Sequence, residues 1–164
     1  MACLTAWIAW GDVPEATAAA NRERAPMYKN ILIPVDLAHK DTVAAMVNAA
    51  KALADKDAGM TLLYVVPEIP AVVAADLPAG STEKARANVE AQLKQLAADN
   101  GAPEDTAVMT SVGRPHHNIL ETAAKNNVDL IVVASHKPEF SDYLLGSVAA
   151  RVVRHATCSV HVVR

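Results

Sequence analysis

Five short aliphatic runs, each separated from the next by a stretch of helical period, dominate the chain and leave it few folds to choose from. Residues 29–36 (KNILIPVD) are apolar on both faces, as a central parallel strand covered by two helix layers must be. Residues 60–66 (MTLLYVV), 106–112 (TAVMTSV) and 128–134 (VDLIVVA) repeat that character, and 158–163 (CSVHVV) alternates more. Between the first two runs, Val43, Met46, Val47, Ala50 and Leu53 recur at steps of three and four, and Gly59 stops the pattern. Ala85, Val89, Leu93, Leu96 and Ala97 form a second apolar face that Ser81 caps and Gly101 ends. A third helix starts at Pro115, a residue suited to a first helical position, and closes at Asn126-Asn127. A fourth opens at Gly146-Ser147 and carries Arg151, Arg154 and His155 in its last turn, where cations suit the negative end of the helix dipole.

Strands joined through helices lie parallel, because the crossover returns each strand in the same direction and does so right-handedly. The expected fold is therefore α/β, a doubly wound five-stranded parallel sheet of order 3-2-1-4-5 with helices on both faces. Where the strand order reverses, between strands one and four, the loops beyond the carboxyl ends diverge and leave a crevice for a ligand. Residues 34–37, 112–115 and 135–147 are the loops that meet there. A single domain accounts for this pattern, and with 4% aromatic residues its core must be built from Val, Leu, Ile and Ala.

Residues 1–26 stand apart from the alternation. Their apolar run at residues 6–10 is too short to span a bilayer and has no basic residue before it, unlike a secretory signal, so the segment reads as a poorly ordered or adventitious extension. A net charge of −3 argues against a dedicated nucleic-acid or anionic-membrane binder. Cys3 and Cys158 lie too far apart in sequence to suggest a disulfide framework or a zinc quartet, and they fit a reducing compartment.

Two of the three loops enter helices through glycine, at Gly113 and Gly146. Helix N-termini present unpaired N–H groups and a positive dipole end, so both can hold phosphate; both glycines can equally be ordinary turn residues. Arg114, His116, His117, His136 and Lys137 share these loops and make the crevice cationic in an acidic chain, which points to an anionic ligand. Ser147 either caps its helix or offers its hydroxyl to a phosphate. Asp36, at the end of the first strand, either accepts hydrogen bonds from a ribose or base, or holds Mg²⁺ through water, or is a loop aspartate. His155 and His161 lack metal-ligand spacing to Cys158. No GxxxxGK[ST], GxGxxG or GxSxG motif occurs, and the third strand ends in Val112-Gly113 where a receiver domain would carry its phosphoacceptor Asp.

Residues 27–164 resemble the universal stress protein family through KNILIPVD at 29–36, VGRP at 112–115 and the closing block VDLIVVASHKPEFSDYLLGSVAARVVRHATCSVHVVR from Val128. Many members of that family bind ATP. By position, the resemblance implies that Pro34, Val35 and Asp36 contact the adenosine and that the Val65 backbone meets the adenine. Val112, Gly113 and Arg114, with His136, Lys137, Gly146, Ser147 and Val148, would wrap the ribose and phosphates. The family's G-x2-G-x9-G-[ST] motif is altered here: Ala134 and Lys137 stand for the first two glycines, and the gap to Gly146-Ser147 is one residue shorter. The ASHKP form of this loop is similar to that of a bacterial subgroup.

The resemblance implies a cytoplasmic, ATP-binding stress-response regulator that acts by nucleotide-dependent conformation or assembly, with ATP bound alone or with Mg²⁺. It further implies a homodimer or higher oligomer through the strand at 158–163, and in some members control of a membrane transporter. The alternatives are a slow ATP hydrolase or phosphotransferase using Arg114, His116, His136 and Lys137, and an interaction module that binds no nucleotide.

Overall fold

The computed structural model describes residues 28–68, 81–135 and 145–164. The chain runs through β1 (Tyr28–Val35), a 3-10 turn (Lys40–Thr42), α1 (Val43–Leu53), β2 (Ala54–Val66) and α2 (Ser81–Asp99). It continues through β3 (Ala107–Val112), α3 (Pro115–Lys125), β4 (Leu130–Ala134), α4 (Ser147–His155) and β5 (Ser159–Val163). All neighbouring strands pair in parallel in the order β3-β2-β1-β4-β5, as the sequence pattern leads one to expect.

The two-residue alternation of the strands splits the core into two layers. Ile31, Ile33 and Val35 pack with Val43, Met46, Val47 and Ala50 of α1 and with Leu93, Leu96 and Ala97 of α2. Leu32, Leu63 and Ile131 pack instead with Ile119 and Ala123 of α3 and Val152 of α4. Each such aliphatic side chain, withdrawn from water, contributes about 1.5–3 kcal/mol, so a core without large aromatics suffices. This places α1 and α2 over one sheet face and α3 and α4 over the other, with the carboxyl ends of β1 and β4 between them.

Several boundaries differ from the apolar pattern for identifiable reasons. β2 begins at Ala54, directly after α1, because a polar arm (ADKDA) joins the ladder: Tyr28 pairs with Ala54 and Asn30 with Gly59, so two steps along β1 match five along β2. That irregularity has no hydrophobic signature. β4 begins at Leu130 and not at Val128, because the residues before it terminate α3 and tie the sheet together. Asn127 takes a left-handed φ of 50°, Val128 N–H donates to Ala123 O at 2.9 Å, and Asn126 Nδ2 donates to Thr122 O at 2.8 Å. The Asp129 carboxylate then accepts the N–H groups of Lys29 (2.7 Å) and Asn30 (2.9 Å), which fixes β4 against the start of β1. Residues 1–27, including the extension expected at 1–26, and most of the proline-bearing segment 68–80 lie outside the described residues.

Candidate functional site

β1 ends at Val35, and Asp36 immediately turns the chain. Its Oδ1 accepts the N–H of Ala38 at 2.9 Å, its backbone carbonyl accepts the N–H of His39 at 3.0 Å, and its Oδ2 lies 3.0 Å from His39 Nδ1. A carboxylate used in this way is held in one orientation while half of its surface stays open to solvent. The carboxylate is thus fixed beside the end of the central strand.

Across from it, α4 begins. Gly146, and not Ser147, is the N-cap, and no side chain caps the helix. The first helical hydrogen bond runs from Ala150 N–H to Gly146 O at 2.8 Å, so the N–H groups of Ser147, Val148 and Ala149 have no partner within the helix. The capping role considered for Ser147 is therefore replaced by an exposed first-turn position beside the cleft.

Between these two features lies a cleft of about 580 Å³. Pro34, Val35 and Asp36 of the β1 end form one wall together with His39 and Thr42. Leu63, Tyr64, Val65 and Pro67 come from the β2 end, Val133 and Ala134 from β4, and Met46 from α1. Pro115 and Ile119 of α3 and residues 146–149 at the start of α4 complete it. The opening sits where the strand order reverses.

Of the residues singled out in the sequence, Pro34, Val35, Asp36, Val65, Gly146, Ser147 and Val148 are thus brought to one cleft. Val112, Gly113 and Arg114 are not among its lining residues. β3 is an outer strand, and Gly113 N–H donates to Val66 O at 2.9 Å, which anchors the turn on β2. Val112 is accordingly 65% exposed. Gly113 has φ +141°, and a Cβ there would meet Asn118 Oδ1 at 2.8 Å, so it is a turn glycine packed on its own helix. His136 and Lys137 lie outside the described residues.

His116 and His117 also stay out of the cleft lining. His116 Nε2 instead lies 3.4 Å from Arg151 Nη1 across the α3–α4 contact. Packing around its ring, followed by the neighbouring charges of Arg151, His117, Arg114 and His155, lowers its pKa below the ordinary value of 6.5. Of the basic residues expected to share the crevice, Arg114, His116 and His117 are thus not among those that line it.

His39, Thr42, Met46, Tyr64 and Pro67 were not apparent as site residues. Thr42 and Met46 are four apart at the entrance to α1 and share one face, a spacing that marks them once the helix is known to start beside the β1 end. Tyr64 and Pro67 carry no comparable signal.

The sequence pattern of the Universal stress protein family matches residues 27–164. The chain belongs to this family. Universal stress protein G of Salmonella typhimurium is 31% identical over 156 residues, an alignment taking in 84% of this chain and 100% of that relative. Among solved universal stress proteins, UspA from Lactobacillus plantarum superposes with a TM-score of 0.61 at 31% identity, over 85% of this chain and 99% of that one. Two more distant universal stress proteins share the fold, with TM-scores of 0.55 and 0.52 at 24% and 14% identity, over 85% of this chain and 98% and 100% of theirs. The first was solved in complex with cAMP and the second, from Archaeoglobus fulgidus, in complex with dAMP. Among its described residues, this universal stress protein has no helix long and apolar enough to cross a membrane.

Proposed function

We propose that the cleft binds an adenine nucleotide, with ATP the preferred ligand, and that the protein acts as a nucleotide-dependent regulator in the stress response. One observation carries this reading: the oriented carboxylate of Asp36 and the unpaired N–H groups of α4 face a single cleft whose floor is largely aliphatic. An aliphatic slot accepts the faces of a purine, a carboxylate accepts hydrogen bonds from ribose hydroxyls or an exocyclic amine, and a helix N-terminus accepts phosphate. A volume of about 580 Å³ falls within the ordinary range for small-ligand sites. The cAMP- and dAMP-bound family members support the class of ligand.

In this reading Pro34, Val35 and Val65 contact the base, Asp36 the adenosine, and Gly146, Ser147 and Val148 the phosphates. His136 and Lys137 belong to the set through the family resemblance alone, and Mg²⁺ arrives with the phosphates. The nucleotide regulates by binding one conformation or assembly better than another, since a ligand shifts an equilibrium only through that difference. β5 is an outer strand, and its open edge is where a second copy adds in a homodimer. A cytoplasmic setting and a target such as a membrane transporter are part of the same proposal.

Ala134, at the cleft wall where the family motif has glycine, favours a second reading in which the module binds no nucleotide. Calorimetric titration with ATP decides between them. Binding is expected in the wild type, with Asp36→Ala weakening it by about tenfold. Absence of binding by a folded wild-type protein overturns the nucleotide reading, and many phosphates released per protein would replace regulation by hydrolysis.

A further inference from the structure

The surface beside the cleft carries a group of basic side chains, and the family resemblance gives a role to Arg114 alone among them. Arg151 on α4 and His116 on α3 lie 3.4 Å apart, with Arg114 at the start of α3 and His155 one helical turn beyond Arg151. Arg114, Arg151 and His155 are exposed. Among the described residues, the ion pairs are His39–Asp36, Arg86–Glu90 and Lys125–Glu121, and none involves this group. A chain of net charge −3 thus gathers several basic side chains at one place, and among the described residues none of them is in an ion pair.

This group adjoins the cleft. His116 directly follows Pro115, a lining residue, and Arg151 stands four residues after Ser147, another lining residue, on the same helix face at a Cβ spacing of about 6 Å. Arg151 is therefore one helical turn from the start of α4, within side-chain reach of an anion held there. Guanidinium is the side chain best matched to phosphate, because its planar fork donates two parallel hydrogen bonds.

We propose that Arg114, His116, Arg151 and His155 form a phosphate-recognition patch beside the cleft, which holds the outer phosphates of the bound nucleotide. The source of the phosphate rests on the nucleotide reading; the patch itself does not. The bases around His116 are Arg151 and His155 from α4 and Arg114 and His117 from its own end of α3, so its ring reports on an anion bound among them.

The test uses the full chain at low salt. Adenosine and ATP are titrated calorimetrically into wild type and Arg151→Gln, and the His116 ring signals are followed by NMR as inorganic phosphate is added. Arg151→Gln is expected to weaken ATP by about tenfold while leaving adenosine unchanged. A phosphate effect on the His116 ring that is lost in Arg151→Gln, with ATP affinity intact, assigns the patch to a separate phosphate ligand and upholds the recognition chemistry. If wild type binds neither adenosine nor ATP, the nucleotide reading fails, and the phosphate titration alone decides the patch. Unchanged ATP affinity, or no ATP binding at all, together with no phosphate effect on His116 overturns it. Arg151→Lys, which keeps the charge and loses the fork, confirms that a weakened variant is folded if it recovers part of the affinity.

Discussion

Asn118 occupies the space that a side chain on Gly113 would need. Its Oδ1 stands 2.8 Å from where a Cβ would sit, and its Nδ2 donates to Ser111 Oγ at 3.1 Å and to Val112 O at 3.0 Å. The pair locks the β3–α3 turn and so sets where α3 begins.

Gly113→Ala is therefore a stability variant. Strain at φ +141° and the collision with Asn118 are expected to cost about 2 kcal/mol, measured by urea denaturation. A glycine needed only for ligand approach would leave the denaturation midpoint unchanged.

Asp129 holds two backbone N–H groups, those of Lys29 and Asn30, at the opposite end of the sheet from the cleft. Asp129→Ala is expected to destabilise by about 1–3 kcal/mol, with Asp129→Asn losing less because one acceptor oxygen remains. Equal melting temperatures for the three proteins would contradict the role assigned to this carboxylate.

Val152 is fully buried among Leu32, Ile119 and Ile131 and joins α4 to the sheet. Val152→Ala removes two methyl groups from that layer and is expected to cost about 2 kcal/mol. Because α4 supplies the start of the cleft wall, increased amide exchange at Ser147 and Val148 is the accompanying signature.

The depressed pKa of His116 has a definite sign in stability. The unfolded state takes up the proton first as pH falls below about 6.5, so the stability present above that value is lost on acidification until the folded-state pKa is passed. His116→Gln is expected to flatten this part of the stability profile. Added salt should shrink the contribution of Arg151, His117, Arg114 and His155 while leaving the part due to ring packing. A His116→Gln profile parallel to wild type between pH 7 and 5 would contradict the assignment.

The strand order was legible because both faces of β1 and β4 are aliphatic, which only central strands of a two-layered sheet require. Asp36 and Gly146 were legible as residues of the candidate cleft because each stands at a strand end or helix start, positions the topology alone brings together. The bulged arm at the start of β2 was not, since backbone pairing of a polar segment leaves no periodic trace. For Gly113 the sequence left a ligand-approach glycine and a turn glycine equally open, because its steric requirement comes from Asn118, five residues later, and both kinds have the same sequence signature. His39 was missed for a similar reason: its bond to Asp36 depends on the tightness of the turn, which nothing but coordinates reveals.

The most direct measurement is a map of backbone amide NMR shifts as ATP is added to the full chain. Changes are expected to concentrate at Val35, Asp36, Val65, Ser147 and Val148, with Asp129 and Gly59 at the far end of the sheet unmoved. Saturating ATP that moves none of these amides, or moves only residues remote from them, would contradict a nucleotide site in this cleft.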